Sequence, residues 1–272
     1  MAGQGRPAPI HCITNPVTME SVANVLLAAG GSAIMAQDPA EAEEIAALSR
    51  GVLLNTGVPD AGKFRACMLA GRRACGLGLP VVLDPVGAGA SRFRREGLKN
   101  LLREVRMSVI RCNQEEAQTL LAFPDPESGS DAGEEMRAGL WKSGELRSGG
   151  VESAVSVEAG RQADMAKELA GKYGCAVLVT GDVDAVSDGG RTELIGGGDG
   201  RLSRITGGGC MLSALCALLC AEQKDCYEAV RSAAALWRES ARAAGIRADR
   251  EQGGIGVFRM YLFDEVERRR SL

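Results

Sequence analysis

At 272 residues, 45% apolar and 25% charged, the chain has the size and composition of one large α/β domain, residues 1–272, and its net charge of -3 argues against a nucleic-acid partner. Its single histidine, His11, argues against histidine-ligated metals and a Ser-His-Asp hydrolase. Nine cysteines with no C-x-x-C pair fit reduced thiols in the cytoplasm, and neither a signal-like N-terminus nor an apolar run long enough for a membrane span is present.

In chain order, a helix start is expected at Asn15 and Pro16, with Gly30 and Gly31 as its stop. Short apolar runs at Ala33 to Met35, Val52 to Leu54, Val81 to Leu83 and Ser108 to Ile110 read as buried strands alternating with helices, the pattern of a parallel sheet. Asp38 and Glu41 form a D-x-x-E capping pattern at another helix start. Residues 122–150, rich in Gly, Ser and acidic side chains, read as a surface insertion. Beyond it come a helix from Val151 to Tyr173, a strand at Ala176 to Val179, a hairpin turn at Asp188 to Gly190 and a strand at Thr192 to Ile195. Helices at Cys210 to Cys220, Tyr227 to Ala244 and after Val257 complete the chain. Polar residues close the apolar runs: Asn55, Asp84, Arg111 with Asn113, and Thr180. In an open α/β sheet these gather along the carboxyl edge, where ligands bind, although polar residues also simply begin loops.

Three glycines, Gly207 to Gly209, directly precede the apolar helix that starts near Cys210. Unpaired amides at a helix start, with no side chain to hold a ligand off, make an anion hole suited to phosphate. A glycine triplet alone serves equally well as a flexible joint. No P-loop and no G-x-G-x-x-G spacing is present. The late glycine turn, the Asn-x-x-Glu from Asn113 to Glu116 and the Asp84 closing a middle strand together resemble the ribokinase-like small-molecule kinases.

Within that superfamily the segments HCITNPVTMESVANVLLAAGGSAIMAQDPAEAEEI, VVLDPVGAGAS, VIRCNQEEA, VLVTGDVD and ITGGGCMLSA are similar to hydroxyethylthiazole kinases in order and spacing. The resemblance implies a three-layer α/β/α fold with a mostly parallel central sheet, and ATP-dependent phosphorylation of the thiazole alcohol's hydroxyl with Mg2+, in a homotrimer. It places Met35, Asn15, Asn55, Gly57 and Gly207 at the substrate and Arg111 and Thr180 at ATP. Asp84 and Glu116 become the acids that hold Mg2+, and the amides of Gly208, Gly209 and Cys210 the donors to the transferring phosphoryl group. Cys210 stands where most sugar kinases of this fold carry a catalytic aspartate, and a helix N-terminus can lower a thiol's pKa. The chain departs from the thiazole kinases at Gly208, where Thr or Ala is usual, and at Cys112, where Gly is usual. The alternatives are a hydroxymethylpyrimidine-type vitamin kinase, which the first segment argues against, and a non-catalytic thiazole or nucleotide sensor, which the retained Asp84, Glu116 and glycine turn argue against.

Overall fold

The computed structural model describes residues 9–125 and 151–271, so 126–150 of the expected insertion lie outside the described residues. The first half alternates strands β1 (Pro9–Ile13), β2 (Ser32–Ile34), β3 (Gly51–Asn55), β4 (Val81–Asp84) and β5 (Val109–Asn113) with helices α1 (Met19–Ala28), α2 (Ala42–Leu48), α3 (Ala61–Gly76) and α4 (Arg92–Glu104). Then follow α5 (Gln114–Leu121), α6 (Val151–Tyr173), β6 (Ala176–Thr180), β7 (Asp184–Ser187), β8 (Thr192–Ile195), α7 (Gly208–Glu222), α8 (Cys226–Arg250) and α9 (Ile255–Arg270). The eight strands make one sheet in the order β2-β1-β3-β4-β5-β6-β7-β8, parallel from β2 to β6 and antiparallel from β6 to β8.

The residues of β3 and β4 are buried throughout and those of β6 nearly so, which is why these strands read as continuous apolar runs. Leu53 and Val82 enter the core beneath α1, α7, α8 and α9, while their neighbours Val52, Leu54, Val81 and Leu83 enter the core beneath α2 to α6. Helices therefore cover both faces of the sheet, giving the expected three layers. The β7–β8 turn is held by Asp188, whose Oδ1 accepts from the amides of Gly190 at 3.0 Å and Arg191 at 2.6 Å.

Several local expectations are corrected. The α1 helix starts at Met19, not at Asn15 and Pro16: the Thr18 amide donates to the Asn15 carbonyl at 3.0 Å in a turn, which frees the Asn15 side chain. Asp38 does not cap with Glu41; its Oδ1 accepts from the Ala40 amide at 2.8 Å, too early in the chain to cap α2. Met35 follows β2 instead of closing it. Cys112 lies inside β5, paired with Val179, so replacing the usual glycine makes no special backbone demand. Neither β1, interrupted by Pro9 and His11, nor the helices α3 and α4 stood out in the apolar pattern.

His11 is fully buried, and its Nε2–H donates to the Ala36 carbonyl at 2.7 Å. Burial holds the imidazole below its ordinary 6.5, so the folded state keeps it neutral while the unfolded chain takes up a proton. Stability from this residue is therefore complete above about pH 6.5 and lost as the pH falls. Thermal melts from pH 7.5 to 5.5 should decline less steeply in His11→Gln than in the wild type.

Candidate active site

The strand order reverses once, between β1 and β3, and this opens a crevice beyond their carboxyl ends. Asn15, two residues past β1, and Asn55, the last residue of β3, meet there, with Asn15 Nδ2 3.4 Å from Asn55 Oδ1. Asn55 Oδ1 also accepts from the Gly57 amide at 2.9 Å, and a Cβ on Gly57 would fall 2.9 Å from Asn15 Nδ2. Close packing of two carboxamides against backbone thus accounts for the glycine.

Both asparagines aim their amide groups at one sulfur. Cys210 Sγ lies 3.2 Å from Asn55 Nδ2 and 3.6 Å from Asn15 Nδ2, and the residue is 8% exposed. Burial, reinforced by the charge of Asp84, raises the thiol's pKa against the hydrogen bonds from Thr18 and Asn55, so the lowering that a helix start can bring does not prevail. Cys210 is a neutral thiol at neutral pH.

The sulfur sits in the first turn of α7. Gly207, at φ 84°, takes the left-handed conformation that L side chains avoid and caps the helix. The first helical bond runs from the Met211 amide to the Gly207 carbonyl at 2.8 Å, so the preceding amides of Gly208, Gly209 and Cys210 are the unpaired donors of a helix start. A Cβ on Gly207 would come within 2.8 Å of Thr18 Cγ2, and one on Gly209 within 2.2 Å of Arg111 Nη1. The guanidinium therefore lies directly over the glycine turn.

Arg111 Nη2 donates to Thr180 Oγ1 at 2.6 Å, and its Nη1 lies 3.7 Å from Asp84 Oδ1. Although burial opposes its charge, Asp84 and Glu116 keep the guanidinium protonated. Thr180 in turn donates to the Cys112 carbonyl at 3.3 Å, so its hydroxyl aims the arginine. Asp84 is fully buried: Oδ2 accepts from Asn55 Nδ2 at 2.7 Å and Ser213 Oγ at 2.9 Å, while Oδ1 has no hydrogen-bond partner among the described residues. Burial pushes its pKa to about 6, against the pull of Arg111 and with the push of Glu116. Glu116 makes a capping box with Asn113 at the start of α5, and its Oε1 accepts from the Gly87 amide at 2.9 Å. The Asn-x-x-Glu spacing is thus both a helix cap and a means of pointing an acid at Asp84.

A cleft of about 840 Å³ runs over these groups, lined by Arg111, Glu116, Thr180, the glycine turn and Cys210, with Trp237 and Arg238 at its far wall. Cys210 lines this cleft and also lies within reach of the Asn15 and Asn55 side-chain amides. Met35 is half-buried against the core that contains Cys210. The structure adds residues the sequence did not mark. Ser213, three positions after Cys210, bridges Asp84 and the Gly209 carbonyl at 3.1 Å. Arg94 holds the carbonyls of Thr56 and Val86, Lys63 those of Thr14 and Gly57, and Arg238 those of Gly181, Asp182 and Gly197. Only Ser213, inside the glycine-turn motif, carried a local signal.

Comparison with known proteins agrees with this geometry. The hydroxyethylthiazole kinase family model matches residues 4–142 and 135–269. The chain is 40% identical over 257 residues to hydroxyethylthiazole kinase of Oleidesulfovibrio alaskensis, covering 94% of this chain and 86% of that relative. The solved hydroxyethylthiazole kinase protein of Pyrococcus horikoshii superposes with a TM-score of 0.78 at 32% identity, over 96% of this chain and 88% of that one. A pyridoxal kinase from Bacillus subtilis, at 15% identity and a TM-score of 0.56 over 87% and 92% of the two chains, shares the fold alone. Sequence and architecture together place the chain in the hydroxyethylthiazole kinase family, on a ribokinase-like fold.

Proposed function

We propose that this kinase transfers the γ-phosphoryl group of ATP to the hydroxyl of 4-methyl-5-(2-hydroxyethyl)thiazole in thiamine salvage, as a single domain that works as a cytoplasmic homotrimer. The observation that carries the reading is the position of Cys210, which lines the cleft and lies within reach of both asparagine amides at the amide-rich start of α7. The trimer rests on family resemblance, and the cytoplasm on nine cysteines that fit reduced thiols.

The thiazole would sit by Met35, Asn15, Asn55, Gly57 and Gly207, with its hydroxyl at Cys210. ATP phosphates would lie along Arg111 and Thr180 toward the glycine turn. As the alcohol oxygen bonds to the γ-phosphorus and the bond to ADP breaks, the amides of Gly208, Gly209 and Cys210 and the Arg111 guanidinium meet the charge on the phosphoryl oxygens. A neutral thiol receives a hydrogen bond from the alcohol and orients it without taking its proton at the outset, and the proton ends on the phosphate or in water.

Asp84 Oδ1, which accepts no hydrogen bond among the described residues, and the nearby Glu116 carboxylate suit Mg2+, which keeps most of its waters and takes one or two carboxylates. Bound there with ATP, Mg2+ would neutralise charge on the phosphate oxygens.

The reading is tested by supplying ATP and Mg2+ with hydroxyethylthiazole, hydroxymethylpyrimidine and ribose separately, measuring ADP and phosphorylated product. Turnover with the thiazole alone is expected; turnover only with the pyrimidine would overturn the substrate. Because a neutral thiol contributes less than a full general base, Cys210→Ala should lower kcat about tenfold and Cys210→Asp should keep or raise it. A dead, correctly folded Cys210→Asp beside an unaffected Cys210→Ala would show that the sulfur does not stand at the base position.

A further inference from the structure

Lys63 stands in the first turn of α3, where a lysine ordinarily points to solvent, yet it is only 4% exposed. Its Nζ donates to the Thr14 carbonyl at 3.0 Å and the Gly57 carbonyl at 2.5 Å, and no carboxylate among the described residues pairs with it. Burying an ammonium with no carboxylate in contact is costly, and burial lowers its pKa despite the pull of Asp60 nearby, so the fold sacrifices stability to keep it there. The two carbonyls belong to the loops after β1 and β3, which present Asn15 and Gly57 to Cys210.

A second feature of the same turn is independent of the first. Val58 adopts φ 49°, a left-handed conformation unusual for a β-branched residue and further disfavoured before Pro59. Its side chain is 57% exposed, so burial does not hold it in place. The turn is held by its backbone instead: the Gly57 carbonyl by Lys63, the Gly57 amide by Asn55, and the Thr56 carbonyl by Arg94 at 3.2 Å. Strain of this kind persists where surrounding contacts over-determine the conformation, and it gathers at binding sites.

We propose that Lys63 is a positioning residue for the acceptor alcohol. Its ammonium draws the Thr14–Asn15 loop and the Gly57–Val58 turn together, holds Val58 in its strained conformation, and so sets the Asn15 amide against Cys210. No other described lysine joins these two loops. The inference rests on the proposed function in naming the alcohol as the ligand that feels the clamp.

Lys63→Met keeps the aliphatic stem and removes the charge. It should raise KM for hydroxyethylthiazole about tenfold and leave KM for ATP within about twofold, since displacements near 1 Å already cost catalysis heavily. Amide exchange should quicken at residues 14–18 and 55–60, and not in α7 or α8. Adding Val58→Gly, which takes positive φ without strain, should restore at least half of the lost affinity for the alcohol, a rescue that a merely structural lysine would not produce. Equal rises in both KM values, unchanged exchange in the two loops, or no rescue by glycine would each overturn the proposal. If Lys63→Met does not fold, Lys63→Arg serves: a rise in KM for the alcohol alone supports the clamp, and kinetics like the wild type overturn it. Wild-type enzyme inactive on the thiazole would refute the proposed function, while the exchange measurement would still decide the clamp.

Discussion

Gly209→Ala is expected to lower kcat about 10³-fold and to lower the melting temperature by a few degrees. A methyl at this position would fall 2.2 Å from Arg111 Nη1 and 2.8 Å from Cζ, so the two cannot share the space. The guanidinium is the far end of a long side chain and can swing away, but this strands the fully buried Asp84 carboxylate, a cost that alanine's roughly 1 kcal/mol helix advantage over glycine offsets only in part. What is lost is position. Arg111 would leave the Thr180 hydroxyl and the neighbourhood of Asp84, and with them the place over the amides where phosphate charge develops. Removing a single preorganised donor costs about 10²–10³ in kcat, and a transition-state arginine about 10³–10⁵. Steady-state kinetics beside a thermal melt check this. A kcat within threefold of wild type would mean that Arg111 does not act where it stands.

The second large effect falls on stability. Arg238, nearly buried in α8, donates to Asp184 through Nε at 2.8 Å and Nη2 at 2.5 Å. The same guanidinium reaches the carbonyls of Gly181 at 2.5 Å, and of Asp182 and Gly197 at 3.0 Å each. Arg238→Met leaves a buried carboxylate and three carbonyls without their donor, and breaking one partner of such a pair costs about 3–5 kcal/mol. At roughly 2–4 °C per kcal/mol for a chain of this size, the melting temperature should fall by about 10 °C. Asp184→Leu combined with Arg238→Met should lose less than Arg238→Met alone, because no charge is then stranded. The carbonyls belong to loops lining the phosphate cleft, so KM for ATP should rise with the loss of stability. A drop of under about 2 °C would refute the assignment.

How far the site could be read beforehand follows from how each residue makes its contacts. Asn55, Asp84 and Thr180 announced themselves because each ends an apolar run, and the parallel register sets Asn55 beside Asp84 and Asn113 beside Thr180. The glycine turn was legible because three consecutive residues without side chains must serve a backbone purpose. Lys63 and Arg238 were not, since Lys63 bonds only main-chain carbonyls and Arg238 reaches an aspartate and three carbonyls more than forty positions away, which no local pattern encodes. The start of α1 was misplaced for a related reason: Asn15 followed by proline looks like a cap, but its side chain is turned toward Cys210, and Thr18 takes the cap position. The strand β1 was overlooked because a proline and a histidine interrupt its apolar run, although every residue from Ile10 to Ile13 is buried.

The turn from Gly207 to Cys210 has a bearing on how such enzymes are surveyed. The groups proposed to work there are main-chain amides, and truncating side chains cannot delete them. Alanine at Gly207, Gly208 or Gly209 adds an atom where Thr18, the Leu202 carbonyl or Arg111 already stands, so a truncation scan there measures obstruction instead of loss. The contribution of each amide becomes visible only by chemical editing of the backbone, such as replacing one amide with an ester, which removes the donor and leaves the shape.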